Sequence, residues 1–258
     1  MAALDASHPS HARPFWQAHA LPQVRVQHVP GTEFNTRLAQ DIAQRLRTAI
    51  AARGVAVLSV SGGKSPIALF EALRVQALDW AQVRVTLVDE RCVSPTHTDS
   101  NAWLVRTHLL QDAAKEAQFM DMTADSPTPS CTPAMQAQAA SQVLSAAGDC
   151  DVLVLGMGAD GHTASLFPDA PNLSEALDMH NTHACVSIEL TQPPANAPYA
   201  RITQTLPQIL RARHIVLPLA GVDKHQTLAL AWQAPSQRYP ISYVLHQTHT
   251  PVALWLTS

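Results

Sequence analysis

Short apolar runs separated by helical patterns are the feature that most constrains the fold of this chain. Each run has about the length of one buried strand. Runs without alternating polar residues are typical of a parallel sheet that helices cover on both faces. The sequence therefore predicts an α/β fold with a mostly parallel, Rossmann-like sheet. The runs are residues 24–26, 55–60, 83–88, 151–155, 184–188, 214–219 and 252–256.

The intervals between the runs predict where helices begin and end. Thr32 fits a helix N-cap, because apolar residues recur at helical spacing from Phe34 to Ile50. Pro66 suits the first turn of another helix, and Ser100 suits an N-cap. The predicted helices cover about residues 33–52, 66–73, 103–110, 134–147, 203–212 and 223–233, and a Pro-rich loop is predicted at 124–133.

The composition indicates one globular domain. The chain has 258 residues, is 47% hydrophobic and carries a net charge of −3, which gives no basic stripe for a nucleic acid. No apolar run approaches the ~20 residues that a membrane helix needs, and no signal peptide is visible. We expect no nucleic-acid or membrane partner and a cytoplasmic location. We predict a flexible N-terminal arm at residues 1–22 and a single domain at residues 23–258.

The cysteines and histidines predict neither a disulfide framework nor a metal site. The four cysteines are scattered without a C-x-x-C pair, which favours reduced thiols. The thirteen histidines include no H-E-x-x-H or similar spacing, so no metal is expected.

A glycine-rich segment, residues 156–168, follows one of the apolar runs. Its glycines match G-x-G-x-x-G, but a dinucleotide site also needs a long helix after the third glycine. Pro168 and Pro171 break such a helix soon after Gly161, so a hydride-transfer cofactor is not expected. Five of the nine glycines, residues 62, 63, 156, 158 and 161, lie here or in the loop 61–66. That concentration favours ligand-binding loops over incidental turns.

The loop Ser61–Pro66 leads from an apolar run into a predicted helix. Backbone N–H groups at a helix N-terminus favour an anion such as phosphate, although an ordinary turn is the alternative. The loop lacks Walker A spacing, so a nucleoside triphosphate is not implied. Arg201 and Lys224 lie near predicted element ends, where each could grip phosphate or be a solvated surface charge.

Acidic, basic and imidazole side chains follow two further runs. Asp89, Glu90 and Arg91 could be solvated, or could position a sugar hydroxyl and bind an anion or developing oxyanion. His162 suits general-base catalysis, because the unperturbed pKa of imidazole is about 6.5, and Asp160 could orient it or contact a ligand. Ligands bind beyond the carboxyl ends of parallel strands. The three polar loops could therefore converge on one crevice if the strand order allows it.

Together these residues resemble the 6-phosphogluconolactonase family. The resemblance implies an α/β fold of the type shared with glucosamine-6-phosphate isomerase/deaminase and ribose-5-phosphate isomerase. It also implies hydrolysis of 6-phosphoglucono-δ-lactone to 6-phosphogluconate in the oxidative pentose phosphate pathway, without an obligatory cofactor. The motifs are Ser61-Gly62-Gly63, Asp89-Glu90-Arg91, Asp99-Ser100-Asn101, Gly156 to Pro168, Arg201-Ile202-Thr203 and Gly221-x-x-Lys224.

The resemblance also implies roles for individual residues. His162 would deprotonate the attacking water, Arg91 would stabilise the oxyanion, and Asp89 and Asp160 would orient hydroxyls or His162. The expected partner is a sugar-phosphate lactone, and the chain would be a monomer or weak homo-oligomer. The family's loop usually reads Ser-Gly-Gly-Ser-Thr-Pro, from which Lys64-Ser65 departs. The implied phosphate-binding residues are Ser61, Gly62, Gly63, Lys64, Ser65, Arg201 and Lys224.

Two alternatives remain open at this stage. Amino-sugar phosphate isomerases/deaminases usually continue the motif as His-Ile-Ala-Phe-Asn-Glu-Pro and carry Tyr where this chain has Arg91. Thr163–Pro168 contains no glutamate, which favours the lactonase. A sugar-phosphate sensor of a bacterial regulator would bind without turnover, but would need a helix-turn-helix segment. The first 25 residues are too short and Pro-rich to supply one.

Overall fold

A seven-stranded parallel sheet forms the centre of the computed structural model, which describes residues 15–123, 131–191, 198–221 and 224–257. Its order is β1-β10-β9-β6-β2-β3-β5, and all its neighbours pair in parallel. The predicted fold class is confirmed. The strands are β1 (Val24–Val29), β2 (Ala56–Val60), β3 (Val83–Leu87), β4 (Asp89–Arg91), β5 (Gln118–Phe119), β6 (Val152–Val154), β7 (Cys185–Ile188), β8 (Arg201–Gln204), β9 (Ile215–Leu219) and β10 (Val252–Thr257).

Helices cover both faces of this sheet. Along β2, Leu58 and Val60 pack into one apolar cluster and Val57 into a second. Alternate residues of a strand point to opposite faces, so the clusters lie on opposite sides. Helices α2 to α5 pack chiefly in the first cluster and α6 to α9 in the second. The helices are α1 (Phe15–Ala18), α2 (Phe34–Arg53), α3 (Ile67–Leu73), α4 (Asn101–His108), α5 (Pro133–Ala147), α6 (Leu173–Leu177), α7 (Leu206–Leu210), α8 (His225–Ala231) and α9 (Ile241–His246).

The strand order reverses between β2 and β6. From β2 the chain extends through β3 to β5 at one edge, and it then returns to β6, β9 and β10 on the other side of β2. In open parallel sheets the crevice at such a switch point is where ligands bind. Both glycine-rich segments follow the strands that flank this point.

A short antiparallel sheet of β4, β8 and β7 corrects two predictions. Residues 89–91 are a strand rather than a loop, and Arg91 pairs with Arg201. The helix predicted at 203–212 was wrong in its first residues, because Arg201–Gln204 pairs with strands on both sides. The Thr205 side chain then accepts from Gln208 N, and α7 begins at Leu206.

The predicted helix starts had mixed outcomes. Ser100 is confirmed as an N-cap, since its hydroxyl accepts the Trp103 N–H at 3.2 Å. The N-cap predicted at Thr32 was wrong, because α2 begins at Phe34. The residue before it, Glu33, makes no side-chain cap bond. Pro66 is the N-cap residue of α3. In the loop predicted at 124–133, residues 124–130 lie outside the described ranges, and α5 already begins at its last residue.

Part of the predicted N-terminal arm contacts the core. The Phe15 ring lies 5.5 Å from the Trp232 ring, centroid to centroid, and Trp232 Nε1 donates to His19 O at 2.6 Å. Residues 1–14 lie outside the described ranges, so the division into arm and domain stays a prediction. Within the described chain, no helix combines the length and apolar character needed to cross a bilayer.

Candidate active site

A cavity of about 430 Å³ lies at the switch point, beyond the carboxyl ends of β2 and β6. The two glycine-containing loops and β4 converge on it, and most of the nominated site residues line it. Two do not: the exposed Lys64 side chain lies outside the lining, and Asp160 lies behind His162. The nominated residues in the wall are Ser61, Gly62, Gly63, Ser65, Asp89, Arg91, His162, Arg201 and Lys224.

His162 and Asp160 form a polar pair in the turn after β6. His162 Nδ1 lies 2.6 Å from Asp160 Oδ1, which also accepts the His162 backbone N–H at 3.1 Å. The imidazole packs against the Phe167 ring with centroids 4.5 Å apart. Burial acts to raise the pKa of Asp160, but hydrogen bonds and the charge of His162 outweigh it and lower that pKa. Ionised Asp160 therefore favours the tautomer with the proton on Nδ1 and the lone pair on Nε2.

Glycine at position 158 makes room for this pair. A Cβ atom there would lie 2.2 Å from His162 Nδ1 and 2.6 Å from Asp160 Oδ1. Gly161 has a φ of 83°, and its N–H donates to Gly158 O at 3.1 Å. Residues 162–172, all described, contain no helix. The absence of a dinucleotide-type helix after this turn is therefore confirmed.

Asp89 joins the acidic strand to the histidine turn. Its Oδ2 atom accepts the Ser165 hydroxyl at 2.5 Å, and its Oδ1 atom lies 3.3 Å from Asn101 Nδ2. All three side chains are buried. Sequence reasoning gave no role to Asn101 or Ser165, although both lie within the quoted motifs. The pairing that gives them a role joins segments far apart in the chain.

Three cations face the cavity from β4, β8 and the start of α8. Burial is the main cause that lowers the pKa of Arg201, which lies over the Phe167 ring, 5.4 Å from Cζ to the centroid. Burial likewise lowers the pKa of Lys224. In the described part of the chain, neither Arg91 nor Lys224 forms a salt bridge. Partly desolvated cations in a cavity favour an anionic ligand.

The glycine loop after β2 contacts both neighbouring segments. Ser61 Oγ accepts the Gly156 N–H at 3.3 Å. A Cβ atom on Gly62 would lie 1.8 Å from Asn101 Oδ1, so only glycine fits against this amide. Gly63 has a φ of 88°, which also favours glycine. The loop is thus held between the histidine turn and the start of α4.

Other chemistry finds little support in the described residues. They contain no cluster of three His, Cys, Asp or Glu side chains suited to a metal ion. Burial raises the pKa of Cys92 and of Cys150 to about 12, so neither thiol is an activated nucleophile. The described walls of the cavity offer an imidazole and cationic side chains, the kinds of group that base catalysis and electrostatic stabilisation use.

Comparison with known proteins points to one family. The sequence model described as glucosamine-6-phosphate isomerases/6-phosphogluconolactonase matches residues 31–255. A 6-phosphogluconolactonase of Neisseria meningitidis is 42% identical over 209 residues, which cover 81% of this chain and 88% of that protein. One of Pseudomonas putida is 44% identical over 194 residues, covering 75% and 77%.

A solved structure extends the likeness to the whole fold. A 6-phosphogluconolactonase from Shewanella baltica superposes with a TM-score of 0.84 at 36% identity, covering 92% of this chain and 99% of that one. The parallel sheet, the cavity at its switch point and these similarities agree. The chain belongs to the glucosamine-6-phosphate isomerase/6-phosphogluconolactonase family.

Proposed function

We propose that this protein hydrolyses 6-phosphoglucono-δ-lactone to 6-phosphogluconate, a step of the oxidative pentose phosphate pathway. The observation that carries the proposal is one cavity lined by His162 and by the cations Arg91, Arg201 and Lys224. Lactone hydrolysis needs a base for water and a positive group for the oxyanion. A phosphorylated substrate needs further cations. The relatives named for this activity support the same assignment.

His162 is the proposed general base. Because Asp160 accepts the hydrogen bond from the Nδ1 proton, Nε2 can remove a proton from water while the water oxygen attacks the lactone C1. Arg91 stabilises the oxyanion of the tetrahedral intermediate. When the bond between C1 and the ring oxygen breaks, the proton passes from Nε2 to that oxygen and the imidazole returns to neutral. A lactone is reactive enough that no covalent nucleophile is required.

The phosphate is assigned to the cations and the glycine loop. A dianionic phosphate would offset the desolvation of Arg201 and Lys224 that lowers both pKa values. Among the loop residues in the wall, Gly62 and Gly63 offer backbone N–H groups, and Ser61 and Ser65 offer hydroxyl groups. Lys64 lies outside this wall, so we propose for it a longer-range attraction only.

Amino-sugar isomerisation is the competing enzyme function. It would need a carboxylate free to assist ring opening. Among the described residues that line the cavity, Asp89 is the one carboxylate, and both its oxygens face donors, from Ser165 and Asn101. The residues that follow His162, Thr163 to Pro168, contain no acidic side chain, and Thr163 donates its hydroxyl to Gly156 O at 2.8 Å.

The test is a lactonase assay with freshly generated 6-phosphogluconolactone, corrected for spontaneous hydrolysis. The matched control is unphosphorylated gluconolactone, and glucosamine 6-phosphate is assayed in parallel. We expect turnover of the phosphorylated lactone and a much lower kcat/KM on the control. Equal rates on both lactones would refute the phosphate assignment. Binding of the phosphosugars without turnover would instead support a sensor.

Two finer points belong to the same proposal. We propose a cytoplasmic enzyme, in line with reduced cysteines. We also propose a monomer or weak homo-oligomer. Sedimentation at several protein concentrations tests the second point.

A further inference from the structure

We infer that Glu90, whose side chain does not line the cavity, is a positioning residue that sets Arg91 and Asn101 in the cavity wall. It does so by tying β4 to the first turn of α4. The inference rests on the proposed lactonase function and adds to it a residue that the reaction itself does not touch.

Four donors converge on the Glu90 carboxylate. Oε1 accepts the backbone N–H groups of Arg91 and Asn101, both at 2.7 Å. Oε2 accepts the Ala102 N–H at 2.7 Å and the Ser100 hydroxyl at 2.9 Å. The residue is 0% exposed, so no water substitutes for these contacts. Burial raises its pKa to about 7, while the four hydrogen bonds favour the ionised form.

Two of the residues that Glu90 holds, Arg91 and Asn101, line the cavity. Asn101 Nδ2 donates to Asp89 O at 2.8 Å, so the two segments bind each other reciprocally. The Asn101 amide in turn lies against Gly62 of the phosphate loop. The Arg91 guanidinium is fixed by the same turn, since its Nη1 atom donates to Asp99 O at 2.5 Å.

A carboxylate is the group that this position requires. All four partners are donors, and a carboxylate ion has acceptor capacity on both oxygens. In a glutamine of equal size, an amide N–H₂ would replace one of the two oxygens. This donor would then face two other donors, and the groups must move apart. Glu90→Gln therefore shifts β4 against α4 while it conserves side-chain volume.

The experiment compares Glu90→Gln with Asp151→Asn. Asp151 is also a buried carboxylate that accepts a backbone N–H, from Val57 at 2.9 Å, but it lies at the amino end of β6. For both variants and wild type we would measure KM for 6-phosphogluconolactone and Ki for 6-phosphogluconate, after a thermal melt shows the folded fraction. KM and Ki do not depend on the amount of active enzyme. A variant that only loses folded protein therefore keeps both constants unchanged.

We expect KM and Ki of Glu90→Gln to rise together by about 10-fold or more, since small misplacements of binding groups have effects of this size. Asp151→Asn should stay within about twofold. If Glu90→Gln does not fold, Ser100→Ala removes one of the four donors and should still raise both constants by severalfold. Unchanged constants in the folded variant, or an equal rise in Asp151→Asn, would overturn the inference.

Failure of the proposed function would look different. It would appear as wild-type protein without lactonase turnover. The comparison is then made with the Kd of 6-phosphogluconate measured by calorimetry on the same proteins. A higher Kd for Glu90→Gln than for Asp151→Asn supports the positioning role, and equal Kd values, or no binding by any of them, refute it.

Discussion

Buried carboxylates lie at both ends of the parallel sheet, but they have different partners. At the amino end, Asp151 forms ion pairs with Arg53 and with Arg213, the latter at 3.3 Å. At the carboxyl end, the carboxylates of Asp89 and Glu90 are held by hydroxyl, amide and backbone donors. Arginines pair directly with the acid at the amino end, whereas hydrogen bonds from neutral groups hold the acids at the carboxyl end, where the charge of Asp89 also acts on Arg201.

This difference indicates that the two ends of the sheet have different roles, stability at the amino end and ligand binding at the carboxyl end. An arginine that is paired with a carboxylate contributes to stability and has little charge left for a ligand. At the cavity end, Arg91 and Lys224 form no salt bridge within the described residues. Their charge is available to an anion. Substitutions at the amino end should therefore change stability, and substitutions around the cavity should change kinetics.

The largest kinetic effect is expected from His162→Ala. Removing the general base should lower kcat by about 10²–10⁴-fold. The free energy of unfolding should change little, because the His162 side chain is 31% exposed and packs in a turn. Initial rates above the spontaneous background, together with a denaturant titration, check both parts. Near-normal turnover would remove His162 from the mechanism.

Asp151→Ala should produce the opposite pattern. It removes two ion pairs and the acceptor of the Val57 N–H, so the free energy of unfolding should fall by about 2 kcal/mol. The arginines are half-exposed, which keeps the loss below that of a fully buried pair. Glu33→Ala, which breaks a surface pair with Arg37, is the control and should cost about 0.5 kcal/mol or less. A fall in kcat/KM of folded Asp151→Ala would contradict the division between the two ends.

Gly158→Ala tests how closely the cavity end depends on backbone space. The new methyl group would overlap the His162 ring, so kcat should fall by about 10–10²-fold through displacement of the base. Gly31→Ala is the matched control, because a Cβ atom there meets nothing within 4 Å. Rates for the two variants at equal folded fraction give the comparison. Similar rates would mean that the turn can relax without moving the imidazole.

The sequence predicted the sheet and the loops better than the site's inner contacts. Apolar runs such as residues 55–60 and 214–219 are long enough to show a buried strand by pattern alone. β4 and β8 are three and four residues long and read as polar motifs. Nothing local distinguishes them from loops, because their pairing joins residues more than a hundred positions apart.

Strand order and side-chain partners could not be predicted from the sequence for the same reason. The switch point between β2 and β6 follows from packing of the whole sheet. Asn101 and Ser165 gained roles only when the fold brought them to Asp89. The contact between Asp160 and His162 was easier to anticipate, because residues two apart in a tight turn meet without help from the rest of the chain.

Substitution of Lys64 should have the smallest kinetic effect, because Lys64 lies at the outer rim of the cavity end. Its side chain is exposed and outside the cavity wall, so Lys64→Ser, which restores a hydroxyl residue of the family's loop, should raise KM by about threefold at most. The effect should vanish between low ionic strength and about 0.5 M salt, where exposed charges are screened over a few ångströms. KM for the phosphorylated lactone at the two salt concentrations measures this. A larger loss that persists in high salt would place the Lys64 ammonium on the phosphate, and the cavity end would then include a cation that reaches in from the surface.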